Sequence, residues 1–125
     1  MSLKIITPEQ LADNIKNNVR YKPVDTGDND MDGFINAFNR AVDQYMFNAD
    51  DFSNTKDKHD IFLKSGRLTL FISMINDEYL TPESNPIDQT LLPKYQKYVE
   101  TAGWHISYRA EDIAVRPQNT LILTA

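Results

Sequence analysis

The sequence predicts an α+β fold of about four helices and a C-terminal antiparallel β-hairpin, in a single domain covering residues 1–125. Apolar residues recur at helical spacing before Gly103 and alternate with polar residues after it. The length of 125 residues suffices for one hydrophobic core. The composition, 41% hydrophobic and 25% charged, is typical of globular proteins, and the lack of cysteine excludes disulfides and thiolate metal sites.

The first predicted helix covers about residues 8–19. Thr7 can cap it, Pro8 suits the first helical position, and Gln10 completes a capping box. Apolar residues then follow at helical spacing: Leu11, Ile15 and Val19. Residues 3–6 precede this helix either as a short strand or as a hydrophobic lead-in.

A second helix is predicted to begin at Asp32, which can cap it, and to end near Phe47, before a polar turn at 48–54. Its apolar residues repeat every 3.6 positions. They are Ile35, Phe38, Val42, Tyr45 and Met46.

The third predicted helix is long, from about 55 to 79, and Gly66 is expected to kink or split it. A strand at 67–72 is the competing interpretation, because apolar residues alternate briefly there. A loop is expected at 81–86.

A fourth helix is predicted over 88–102, well formed only from about Pro93 and ended by Gly103. Strands are expected at 104–108 and 120–124, separated by a long loop at 109–119. We expect these two strands to pair antiparallel and to close the chain.

The net charge of −5 is concentrated in one segment. Residues 25–51 contain seven acids and one arginine, a local balance of −6, whereas the rest of the chain balances at +1. Such a segment repels nucleic-acid phosphates and attracts a basic protein surface or a cation. The alternative is that these aspartates serve as turn and cap residues. The aspartates predicted to face a partner are Asp28, Asp30, Asp32, Asp43, Asp50 and Asp51.

Residues 28–35, which read Asp-Asn-Asp-Met-Asp-Gly-Phe-Ile, resemble the calcium loop of EF-hand and dockerin proteins. Asp28, Asp30 and Asp32 match three ligand positions of that loop, and Gly33 matches its turn. Asn39 stands where the family has its bidentate acid. We therefore predict an acidic turn that caps the following helix, with no metal site and no cofactor, and keep a low-affinity calcium module as an alternative.

The sequence favours a protein that is not an enzyme. It has two histidines, no Gly-x-Ser-x-Gly elbow and no glycine-rich phosphate loop. Tyr95 and Tyr98, beside Lys94 and Lys97, are candidate aromatic anchors for a partner. The alternative is an amphipathic helix whose lysines extend their stems along its edge.

The C-terminal third has a helix rich in lysine and tyrosine, then Ala102, Gly103 and Trp104, then an alternating strand and a closing apolar strand. This arrangement resembles the ends of small accessory proteins of tailed bacteriophages. The resemblance implies a non-enzymatic protein that binds and inhibits or redirects a host or defence protein, or a self-associating virion component. It carries no shared site residues.

Together these observations predict a cytoplasmic interaction protein whose acidic surface binds a partner protein with a basic surface, in one form as a nucleic-acid mimic. We expect no direct contact with nucleic acid or membrane, and homo-oligomers are an alternative assembly. Binding through acids should weaken steeply with salt.

Overall fold

The structure is a computed structural model that describes residues 5–20, 22, 27, 29–47, 52–72, 75, 77–81, 90–113 and 116–125. Within these ranges four α-helices and three strands lie in the order α1 (Pro8–Asn17), α2 (Asn29–Phe47), α3 (Phe52–Ser65), β1 (Arg67–Phe71), α4 (Pro93–Thr101), β2 (His105–Ile113) and β3 (Arg116–Thr124). A short 3-10 turn covers Asp77–Tyr79. The predicted α+β class is confirmed.

Helix α1 begins as the capping box predicts. The backbone N–H of Gln10 donates to Thr7 Oγ1 at 3.1 Å, and the backbone N–H of Thr7 donates to Gln10 Oε1 at 3.0 Å. Before the helix, Ile5 is fully buried, and the Ile6 N–H donates to Asn39 Oδ1 at 2.9 Å. Residues 5 and 6 are thus a hydrophobic lead-in docked on α2, while residues 1–4 lie outside the described residues.

Helix α2 begins at Asn29, three residues before the predicted cap at Asp32. Asp30 and Asp32 therefore both lie in its first turn, where the positive end of the helix dipole favours them. The predicted apolar stripe is buried except for Tyr45, which is partly buried. The predicted polar turn is wrong at 52–54, which belong to α3, and its residues 48–51 lie outside the described residues.

The prediction of one long helix through Gly66 is wrong. Helix α3 ends at Ser65, Gly66 adopts a φ of +69°, and β1 follows. The strand forms because Leu68 and Leu70 alternate with exposed residues and pair with Leu123 and Leu121 of β3. The competing strand interpretation is therefore the correct one.

The three strands form an antiparallel sheet in the order β1-β3-β2. The predicted C-terminal hairpin is confirmed, but most of the predicted loop at 109–119 is strand, because β2 and β3 pair as far as Ile113 and Arg116. Strand β1 pairs only with residues 120–124 of β3. The hairpin thus extends beyond β1 as a two-stranded ribbon.

The start of α4 agrees with the start expected for the well-formed part of the predicted helix, whereas residues 90–92 of the predicted span are not helical. Pro93 is the first residue of α4, and an antiparallel bridge between Leu80 and Leu91 holds the chain extended just before it. Gly103, with a φ of +110°, ends the helix region as expected. Trp104 then enters the core, 1% exposed, and its indole Nε1–H donates to the Ile6 carbonyl at 2.8 Å.

Candidate functional site

The structure describes three of the six aspartates predicted to face a partner. Asp28, Asp50 and Asp51 lie outside the described residues. Asp32 and Asp43 are only 8% and 9% exposed, because both lie on the side of α2 that faces the rest of the fold. Their predicted accessibility is wrong, and Asp30 is the described aspartate of this set that reaches solvent.

Asp43 holds the segment that follows α1. Arg20 Nε donates to Asp43 Oδ1 at 3.0 Å, and Arg20 Nη2 donates to Asp43 Oδ2 at 2.6 Å. The Arg20 guanidinium also lies over the Phe47 ring, 5.1 Å from its centroid. This hydrogen-bonded pairing raises the pKa of Arg20. The Asp43 carboxylate is therefore engaged within the fold.

Asp30 joins the first turn of α2 to the first turn of α4. Its carboxylate accepts hydrogen bonds from Lys94 Nζ and from the Tyr95 hydroxyl, the latter at 2.8 Å. The bond from Lys94, and then the bond from Tyr95, hold the pKa of Asp30 below its ordinary value. Although Asp30 is exposed, its charge is thus matched by a neighbouring cation.

The tyrosines of α4 take different positions. Tyr95 is 2% exposed, and its ring stacks on Phe34 with centroids 4.4 Å apart. The prediction of an exposed anchor at Tyr95 is therefore wrong, since its spacing places it on the inner side of the helix with Val99. Tyr98 is half-buried against the core, and its proposed role in binding stays a prediction.

The calcium-like stretch is helical from residue 29 onward. Residues two positions apart on a helix are separated by about 200° around its axis, so Asp30 points outward while Asp32 is buried. In the part of the chain that the structure describes, no group of three or more acidic or histidine side chains converges on a point where a metal ion could bind. Asp28, the first position of the motif, is outside that part.

Gly33 has a packing role instead of a turn role. A Cβ atom at this position would collide with the Tyr79 hydroxyl. Tyr79 in turn contacts Phe34 and Tyr95 edge-on, with ring centroids 5.4 and 5.2 Å away. The glycine therefore lets an aromatic cluster approach the backbone of α2.

A groove of about 500 Å³ lies beside α4. It is lined by Thr81, Thr90, Leu91, Pro93, Gln96, Lys97 and Glu100. At its edge the Tyr108 hydroxyl accepts from the Leu91 N–H at 3.1 Å and donates to Gln96 Oε1 at 3.2 Å. Burial raises the pKa of Tyr108, which keeps this hydroxyl protonated as a donor. The polar groups at this edge of the groove thus bond to one another.

The sheet has an inner face whose leucines belong to the hydrophobic core and an outer face whose residues do not, although Thr120 of the outer face is fully buried. The residues of the outer face in the three-stranded part are Arg67, Thr69, Phe71, His105, Ser107, Arg109, Thr120, Ile122 and Thr124. Phe71 is 37% exposed, and Arg67 and Arg109 are exposed at opposite edges. Sequence reasoning missed this surface because it assigned a helix to 67–72 and a loop to 109–119. The alternation of exposed Arg67 and Phe71 with buried leucines was the available signal.

No family model matches the chain, and no curated protein and no solved structure matches it. The resemblance to phage accessory proteins therefore stays a prediction. In the described segments, no helix combines the length and the apolar character needed to cross a membrane.

Proposed function

We propose that this chain is a non-enzymatic interaction protein that binds a partner protein through the outer face of its sheet. The observation that supports this proposal is the exposure of Phe71 on a sheet face that is not used to build the core. The leucines of β1 and β3, which all lie on the inner face, are at most 2% exposed. The exposed apolar surface of Phe71 therefore contrasts with the burial of the inner face.

The chemistry of the outer face favours an acidic partner surface. Arg67 lies on the same face as Phe71 and Ile122, so this partly apolar surface carries a cation, whereas Thr120 beside Phe71 is fully buried. Aromatic residues and arginine are enriched where protein interfaces are tightly packed. We therefore propose a partner with an apolar patch bordered by carboxylates.

This partner differs from the one predicted by the charge of residues 25–51. Asp32 and Asp43 are buried and Asp30 is paired with Lys94, so the described part of that segment offers little free negative charge. A nucleic-acid mimic would have to rely on the remaining acids of that segment, which lie outside the described residues: Asp25, Asp28, Asp50 and Asp51. Inhibition or redirection of a host or defence protein remains the action implied by the phage resemblance.

The test compares affinity captures with three forms of the chain: the unchanged protein, Arg67→Glu/Phe71→Thr on the outer face, and Arg40→Glu on the exposed side of α2. The two variants carry the same arginine-to-glutamate reversal, and Arg40 lies on a helix on the other side of the sheet. We expect a protein that the unchanged chain and the Arg40→Glu control retain and the outer-face variant loses. The retained protein, once purified, should bind in calorimetry.

Equal loss with both variants would indicate general charge sensitivity and contradict a role for the outer face. Equal retention by all three forms would place the binding surface elsewhere. Repeating the capture at high salt separates the acidic mimic, whose binding should weaken steeply, from an interface centred on Phe71.

A further inference from the structure

The outer face of the sheet differs in charge from the rest of the chain. In the three-stranded part, where every residue is described, its nine residues include two arginines, one histidine and no acid. The whole chain, by contrast, has 18 acids against 13 bases. A local excess of positive groups on an acidic protein attracts anions to that face.

One row of opposed residues crosses all three strands at the end of the sheet where β1 begins. The register pairs Arg67 of β1 with Thr124 of β3, and Thr124 with His105 of β2. Directly opposed residues of antiparallel strands project from the same face. Arg67 and His105 are exposed and Thr124 is partly exposed, so this row is open to solvent, unlike the row that contains the fully buried Thr120.

Neither basic side chain of this row is engaged by the fold. In the part of the chain that the structure describes, the Arg67 guanidinium and the His105 imidazole make no ion pair and no side-chain hydrogen bond. Arg20 differs, because it is paired with Asp43, and Arg109 also has a contact within the fold. The N–H donors of Arg67 and His105 are therefore available to a ligand.

The spacing of the row suits a single oxyanion. Neighbouring strands lie about 4.8 Å apart, so the backbones at Arg67 and His105 are separated by about 10 Å across β3. A phosphate group fits between two side chains at this separation when each side donates charge-assisted hydrogen bonds of about 2.8 Å. Thr124 lies midway, where its hydroxyl can donate to a further oxygen.

We propose that Arg67, Thr124 and His105 form a binding site for one phosphate monoester group. The planar guanidinium donates two parallel bonds to two phosphate oxygens, and the imidazole N–H donates from the opposite side. A carboxylate has only two oxygens and would leave one of these donors unused. Ile122, partly exposed on the same face about 7 Å along β3, offers an apolar contact to the carbon portion of the ester.

Titration with inorganic phosphate tests the site, because the two histidines of the chain can be followed separately by proton NMR. The imidazole signals of His105 should shift and saturate. Those of His59, whose Nε2 lies 2.7 Å from the Met46 carbonyl oxygen, should stay in place. Arg67→Gln should weaken phosphate binding about tenfold, whereas Arg40→Gln, the matched change at an exposed arginine of α2, should leave it unchanged.

Two controls define the class of anion. Sodium chloride at the same ionic strength accounts for screening, and acetate should bind at least tenfold more weakly than phosphate. Equal shifts of His105 with phosphate and with either control would overturn the proposal. A phosphate affinity that Arg67→Gln leaves unchanged would also overturn it.

Further measurements separate this site from the proposed partner interface and identify the source of the phosphate. Phe71→Thr should weaken capture of the partner and leave phosphate affinity unchanged, since the site does not use Phe71. Free O-phosphoserine is then compared with a peptide that contains phosphoserine beside an apolar residue. Tighter binding of the peptide would support a phosphorylated protein as the source, and equal binding would support a small ester. Binding of neither would overturn the proposal.

Discussion

Gly33→Ala should destabilise the protein even though it improves helix propensity. Alanine within α2 gains about 1 kcal/mol over glycine. Against this, the new methyl group would collide with the hydroxyl of Tyr79, a residue only 6% exposed whose ring is held by Phe34 and Tyr95. Forcing an extra carbon into such a packed site costs about 1–3 kcal/mol. We expect a net loss of about 1 kcal/mol in urea unfolding.

The same substitution should change sign in a Tyr79→Phe background. Without the hydroxyl, the nearest ring atom would lie 3.6 Å from the new Cβ, which is ordinary van der Waals contact. Only the propensity gain then remains, so Gly33→Ala should stabilise the Tyr79→Phe protein by about 1 kcal/mol. Urea unfolding of the four proteins in this double-mutant cycle provides the measurement. An equal effect of Gly33→Ala in both backgrounds would refute the packing role assigned to Gly33.

Three further predictions concern the aspartates. Asp43→Ala should lower the free energy of unfolding by about 1–2 kcal/mol in urea melts, a value moderated because its partner Arg20 is itself largely exposed; an effect no larger than that of Arg40→Ala would contradict it. The pKa of Asp30 lies below its ordinary 3.8, so its contribution to stability is present above that pH and is lost as the pH falls through the lower folded value. Asp30→Asn should therefore reduce the slope of stability against pH below about pH 4 and leave it unchanged near neutrality, as chemical unfolding across that range can check. Because residues 29–35 are helical, millimolar calcium should shift the melting temperature by less than about 1 °C, whereas a clear calcium-dependent rise would restore the calcium-module alternative.

Local signals predicted the elements whose ends are determined by nearby residues. The capping box of Thr7 and Gln10 specifies the start of α1 through contacts three residues apart. Gly103 ends the α4 region through its own positive φ. The alternation of apolar and polar residues after Trp104 indicated a strand, because this two-residue period can be recognised without knowing which strand it pairs with. These features depend on sequence neighbours, so a single sequence suffices to find them.

Distant pairing explains what sequence reasoning missed. Strand β1 exists because Leu68 and Leu70 find partners more than fifty residues later in β3, and the same short apolar run fits a helix equally well. The charge of Asp43 is paired with Arg20, and the charge of Asp30 is paired with Lys94. A count of charges along the sequence reveals neither of these two ion pairs. The outer face was missed for the same reason, since it exists only once β1 is placed beside β3.

The position of Trp104 should make its fluorescence sensitive to whether the N-terminal segment is docked. It is the single tryptophan of the chain, it lies near Phe62 in the core, and its indole donates to the Ile6 carbonyl. Its fluorescence emission should therefore shift to longer wavelength when residues 5 and 6 detach and water reaches the ring. If that shift precedes the loss of helical circular dichroism during denaturation, the N-terminal segment is the first part of the fold to open.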